Sequence, residues 1–139
     1  MHHGFSSSAD YYDIIYSFKD YRAEVDRLIK IIGDNLRSGG NRLLDVACGT
    51  GRHLEYLKAV FEAEGLDLDA RLLAMASKRN PDMAFHQADM TSFDLGKRFD
   101  VVTCLFSSVG YVKTLENLQR AVSAMAHHLV SGGLLIIEP

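Results

Sequence analysis

Asp45, Gly49 and Gly51 close the run Leu43-Leu44-Asp45-Val46-Ala47-Cys48-Gly49-Thr50-Gly51, in which a hydrophobic stretch opens into a tight turn and then a helical pattern. Glycines at such a point let the main chain approach a ligand closely at the C-terminal end of a buried strand. A dinucleotide-binding loop carries three glycines as GxGxxG and holds a pyrophosphate at the N-terminus of the following helix. Here the third position is Leu54, and the Asp45 carboxylate stands where it would repel a phosphate. An acid beside the turn suits a ligand with a cationic part. That favours a nucleoside carrying an amino acid over NAD.

Further acids recur at the ends of apolar segments. Glu64-Gly65-Leu66-Asp67 reads as a second strand ending in a carboxylate. It lies about 20 residues beyond the turn, a spacing at which a carboxylate accepts hydrogen bonds from ribose hydroxyls. Phe85-His86-Gln87-Ala88-Asp89-Met90 reads as a third strand, with Asp89 available to an adenine amino group and Met90 to the face of the ring. Phe99-Asp100-Val101-Val102-Thr103-Cys104-Leu105 is a fourth, nearly continuous apolar strand that runs into Phe106-Ser107-Ser108-Val109-Gly110-Tyr111. Ser107 and Ser108 lack the Gly-x-Ser-x-Gly elbow of a nucleophile and read as partners of backbone or ligand. Gly132-Gly133 precedes a fifth strand, Leu134 to Glu138.

Helices must hold these ends in place. Tyr21, Val25, Leu28, Ile29, Ile32 and Leu36 follow helical spacing before Gly39-Gly40. Leu54, Leu57 and Phe61 mark a helix after the turn, and Leu72, Leu73 and Ala76 mark the next, closed by Asn80-Pro81. Leu115, Leu118, Val122, Met125 and Leu129 mark a fourth, ended at Gly132-Gly133. The alternation predicts an α/β domain with a parallel sheet covered on both faces and ligands at the carboxyl ends of the strands. A length of 139 residues suits one domain with a real core. The net charge of −3 gives no electrostatic reason to expect nucleic acid. No apolar run approaches membrane-spanning length, and no secretory signal is present. Cys48 and Cys104 fall at strand ends and read as reduced, packed thiols of a cytoplasmic protein; without clustered histidines they predict no metal site.

This order of motifs resembles the class I S-adenosylmethionine (SAM) methyltransferases, which have a Rossmann-like fold. Tyr12-Asp13-Ile14-Ile15-Tyr16 with Lys19-Asp20-Tyr21 is similar to the N-terminal lid of N-methyltransferases acting on nucleotide-linked amino sugars. The turn with His53-Leu54-Glu55, His86-Gln87 with Asp89-Met90, and the Phe106–Tyr111 stretch carry the same likeness, which runs from about Tyr11 to Pro139. It implies a lid and helix over residues 1–40 and a SAM-binding core over 41–139. It also implies that Tyr16 contacts SAM near the acceptor amine, and that Ala47, Asp67, Leu68, Asp89, Met90 and Leu105 line the cofactor pocket.

Within that reading Gly49 and Gly51 shape the pocket, and Asp45 fixes the loop or attracts the SAM amino group directly or through water. Tyr16 and Tyr21 offer ring faces or hydroxyls to the sulfonium and amino-acid end, with cation–π attraction on the order of 1 kcal/mol. An amine acceptor must lose a proton, and His53 and His128 are the candidate bases, although His53 reads more simply as a surface residue and His127-His128 as charges placed at a helix C-terminus. The implied fold ordinarily has seven strands in the order 3-2-1-4-5-7-6, whereas this sequence stops at Glu138-Pro139 after the fifth. A longer parent protein, or a homo-oligomer covering the exposed sheet edge, is therefore expected. Two alternatives stay open: a non-catalytic SAM- or protein-binding module, and an NAD-type oxidoreductase domain.

Overall fold

The computed structural model describes residues 20–105 and 112–138. Asp20 starts helix α1 (Tyr21–Asn35), its carboxylate accepting the Ala23 amide at 2.9 Å, the usual N-cap bond. Tyr21, Val25, Leu28 and Ile32 form the buried stripe that the spacing predicts. Strand β1 (Arg42–Val46) follows, buried from Leu43 onward. Helix α2 (Arg52–Leu57) is short; Phe61 is buried but lies beyond its end, where the Val60 and Phe61 amides close a turn on the Leu57 carbonyl. Strand β2 (Glu62–Asp67) leads to helix α3 (Ala70–Arg79), capped by Asp69 and ended at Asn80. Strands β3 (Phe85–Gln87) and β4 (Phe99–Cys104), helix α4 (Leu115–His127) and strand β5 (Leu129–Ile137) complete the order.

All pairings are parallel and the strand order is β3-β2-β1-β4-β5. The chain winds one way from β1 to β3 and the other from β4, so the switch point lies between β1 and β4. Alternation along each strand feeds two cores. Leu43 and Val101 face α1, α2 and α3 through Val25, Ile32, Leu54, Leu57 and Leu73. Leu44, Val46, Leu66, Phe99 and Val102 face α4 through Ala121 and Met125. Among the described residues no helix is long and apolar enough to cross a membrane.

Three boundaries differ from the sequence expectation. Strand β3 ends at Gln87 rather than Met90, because the Asp89 carboxylate turns the chain by accepting the Thr91 amide (2.9 Å) and hydroxyl (2.7 Å). Leu129 opens β5 instead of closing α4, and Gly132-Gly133 sits inside that strand. Phe99 pairs with Leu129 but Val101 with Leu134, so the glycines form a bulge in β5 opposite Asp100. Gly132 takes φ +79°, and its carbonyl accepts the amides of Arg37 and Ser38. Leu115 is 71% exposed at the start of α4 and takes no part in the apolar stripe, which rests on Ala121 and Met125.

Candidate functional site

The turn after β1 is built from left-handed backbone. Ala47 (φ +59°), Gly49 (+57°) and Gly51 (+79°) all take positive φ, and at Ala47 the conformation costs on the order of 1 kcal/mol. The Cys48 amide extends the β1–β2 pairing by donating to the Leu66 carbonyl at 3.0 Å, and the Gly51 amide folds back on the Cys48 carbonyl at 3.1 Å. The Gly49 amide donates to Asp67 Oδ2 at 2.9 Å, while Asp67 Oδ1 accepts the Asp69 amide at 2.9 Å. The second strand-end acid is thus fastened to the glycine turn and to the start of α3. Gly51 must be glycine twice over: besides its φ, a Cβ would stand 2.9 Å from Asn80 Nδ2 and 3.1 Å from Ala76 Cβ.

Asp45 lies in register with Gly65 on one side and Thr103 on the other. It is 2% exposed, and its carboxylate accepts the Thr103 hydroxyl at 2.8 Å. Burial pushes its pKa up to about 7; the Thr103 bond opposes this, and the charge of Asp67 adds to it. Asp67 is also raised, chiefly by burial, against the pull of the Asp69 and Gly49 amides. Burial, then the negative field of these acids, raises Cys104 to about 12 and Cys48 well above its ordinary value, so both thiols stay protonated and packed. Two acids with raised proton affinity on neighbouring strands make a site that gains from a cation.

The remaining expected residues fall around this centre. Leu68, next to Asp67, is 62% exposed and leaves a large apolar side chain open at the strand end. Asp89 is exposed, and its bonds from Thr91 hold its pKa low. Met90 is half-buried against the α4-side core, and Leu105 is buried directly after β4. Asp45, Ala47, Gly49, Gly51, Asp67, Leu68, Asp89, Met90 and Leu105 therefore sit at the carboxyl ends of β1 to β4. Tyr21 is buried at the start of α1, its ring edge-on to His53 at 4.9 Å. Tyr16 and the Phe106–Tyr111 stretch, with Ser107 and Ser108, lie outside the described residues.

The histidines depart from expectation. His53 is no surface residue: it is 8% exposed between the first turns of α1 and α2, with Nε2 at 3.4 Å from Glu24 Oε1. His128 is 1% exposed and already fully used. Its Nδ1 donates to the Ala124 carbonyl at 2.6 Å, Nε2 accepts the Leu95 amide at 3.0 Å, and the ring stacks on Phe93 at 4.4 Å. The Leu95 amide fixes the tautomer, so His128 pins the α4–β5 junction and is neither a base nor a charge on the helix dipole. Thr103 is a site neighbour that the pattern hid in an apolar strand. A lone hydroxyl in that run, aligned in register with Asp45, was the available signal.

A family profile described as "Methyltransferase domain" matches residues 43–133. The chain belongs to this methyltransferase family. It is 45% identical over 134 residues to the dTDP-3-amino-3,4,6-trideoxy-alpha-D-glucopyranose N,N-dimethyltransferase of Streptomyces venezuelae, across 94% of this chain and 56% of that one. It is 41% identical over 134 residues to the dTDP-3-amino-3,6-dideoxy-alpha-D-glucopyranose N,N-dimethyltransferase of Streptomyces fradiae, across 94% and 52%. Among solved structures it is similar to SAM-bound CalS10, an amino pentose methyltransferase from Micromonospora echinaspora, with TM-score 0.87 and 42% identity over 92% of this chain and 55% of that one. The chain spans about half the length of these relatives. The Rossmann-like methyltransferase fold expected from the motifs is the fold found, and the family match removes the oxidoreductase alternative.

Proposed function

We propose that the protein is a SAM-dependent methyltransferase whose acceptor is a small-molecule amine, that of a nucleotide-linked amino sugar. The observation that carries this reading is the coupling of Asp67 to the glycine turn beside the buried, under-bonded Asp45. The donor set fits the cofactor. Asp67 accepts the Gly49 amide at Oδ2 and the Asp69 amide at Oδ1, with the Leu68 amide adding a further bond, and its remaining acceptor capacity would go to the ribose hydroxyls. Asp45 keeps acceptor capacity for an ammonium, directly or through water, and the exposed Leu68 offers an apolar face next to Asp67. Asp89 and Met90 would receive the adenine, with Ala47 and Leu105 closing the wall and Tyr16 and Tyr21 at the amino-acid end. When bound, SAM supplies an electrophilic methyl that passes in line to a neutral amine nitrogen. The chain's own work is to align that nitrogen, keep the turn rigid and give the released proton a path. His53, set against Glu24, is the proposed proton acceptor. The names of the relatives support the acceptor class.

Calorimetric titration with S-adenosylhomocysteine and, in parallel, NAD tests the cofactor. Micromolar binding of the former alone, weakened about 10-fold or more by Asp67→Ala, is expected; that is roughly 1.4 kcal/mol. Methyl transfer to a dTDP-linked amino sugar, followed by mass spectrometry, tests the activity. Because the chain covers about half of its relatives, cofactor binding without turnover would favour the non-catalytic reading. Leu134, Leu135, Ile136 and Ile137 are half-buried on β5 at the sheet edge, which supports association through that edge. Sedimentation at several concentrations measures it.

A further inference from the structure

A turn with glycine at two of its five positions, Gly49 and Gly51, is costly to order, because glycine loses more conformational freedom on ordering than any other residue. Besides the bonds of Cys48 to Leu66 and of Gly49 to Asp67, restraint comes from the far end of α3. Arg79 Nη1 donates to the Thr50 carbonyl at 2.5 Å, and Asn80 Nδ2 donates to the Gly51 carbonyl at 3.2 Å. Two consecutive residues therefore grip two consecutive carbonyls, 29 positions earlier in the chain. Since peptide units are planar, fixing these carbonyls also fixes the amides on the opposite side of each plane.

The other end of the same helix is tied to the site as well. Asp69, the N-cap of α3, donates its amide to Asp67, which in turn accepts from Gly49. Helix α3 thus runs between the strand-end acid and the glycine turn and sets their spacing. Asn80 is chemically costly for a mere helix end. It is 1% exposed, and among the described buried side-chain atoms its Oδ1 is left without a hydrogen-bond partner. The Asn80 Nδ2 amide is shared between the Ala76 carbonyl of its own last turn at 3.3 Å and the Gly51 carbonyl at 3.2 Å, so it ties the end of α3 to the turn, where the missing Cβ of Gly51 makes room for it.

We propose that Arg79 and Asn80 are positioning residues that clamp the Thr50 and Gly51 carbonyls and so hold the glycine turn in the form that admits the cofactor. This rests on the SAM-binding reading above. Arg79 also lies 3.5 Å from Glu55 through Nε, a contact the clamp does not need.

The test is calorimetric titration of S-adenosylhomocysteine into the unmodified chain and into Arg79→Ala, Asn80→Asp, Glu55→Ala and Met125→Ala. Amide hydrogen exchange and the denaturation midpoint are measured alongside. Arg79 is partly exposed, so its variant folds even if the Asn80 variant does not. The clamp predicts affinity lost 10-fold or more in Arg79→Ala and Asn80→Asp, with faster exchange at the Gly51 and Arg52 amides. Glu55→Ala should bind within about twofold of the unmodified chain, and so should Met125→Ala, a core truncation on the opposite sheet face that lowers the midpoint. Arg79→Ala binding as tightly as the unmodified chain, or losing no more affinity than Met125→Ala, would overturn the clamp while leaving the cofactor site standing. Absence of binding by the unmodified chain would overturn the cofactor reading, and the clamp with it.

Discussion

Two buried acids, Asp45 and Asp100, sit on paired neighbouring strands at opposite ends of the sheet, and they live very different lives. Asp100, on β4, is 8% exposed; Oδ1 accepts the Ser38 hydroxyl at 2.6 Å and Oδ2 the Arg42 amide at 3.0 Å. The loop from α1 wraps it so closely that a Cβ on Gly40 would stand 2.3 Å from its carboxylate. Asp45, on β1, is more deeply buried, yet among the described residues its carboxylate accepts one side-chain hydrogen bond, from Thr103. Burial is common to both and so distinguishes nothing. Unmet acceptor capacity is what separates an acid that staples loops from one that awaits a ligand.

The comparison breaks most readily through pH. Folded Asp45 keeps its proton up to about 7, while the unfolded chain releases it near 3.8. Between those values the native state binds more protons. The stabilisation is therefore full below 3.8 and is lost as pH rises through about 7. Asp45→Asn keeps an acceptor for Thr103 and does not titrate. Denaturant unfolding at acid and at alkaline pH should show the wild type losing a few kcal/mol relative to this variant. Next in size, Asp100→Ala orphans the Ser38 hydroxyl and the Arg42 amide and should cost about 3 kcal/mol, with ligand affinity unchanged in the folded fraction. Equal effects of Asp45→Asn and Asp100→Ala on ligand affinity would dissolve the contrast. Thr103→Val sharpens it: without its hydroxyl donor Asp45 becomes harder to ionise, and cofactor affinity at neutral pH should fall several-fold, about 1 kcal/mol. Smallest is Arg120→Ala, which removes an exposed pair with Glu116 four residues away on α4. It should change stability by less than about 0.5 kcal/mol, within the scatter of a melting curve.

Strand ends were the legible part of this sequence. Asp45, Asp67, Asp89 and the glycine turn declared themselves because a local pattern, an apolar run ending in an acid, reports a local event. The parallel sheet followed from the alternation of helix and strand, and its strand order from the resemblance to the class I methyltransferases. What stayed hidden depends on contacts distant in sequence. Gly132-Gly133 looks like a helix stop, yet it serves a bulge that must pass Asp100 and accept Arg37 and Ser38. His128 looks like a helix-end charge until the Leu95 amide, 33 residues away, is found on its ring nitrogen. Asn80 looked like the residue before a proline, and its hold on Gly51 appears only when α3 packs beside the turn.

The central claim is that the spare acceptor capacity of Asp45 receives the cationic part of the cofactor. It is tested most directly by titrating S-adenosylhomocysteine near pH 7 in buffers of different ionisation heat. An ammonium drawn to Asp45 must lower its pKa from about 7, so binding should release a fraction of a proton from the wild type and none from Asp45→Asn. Binding heats that do not depend on the buffer, or equal proton release from the variant, would contradict the account.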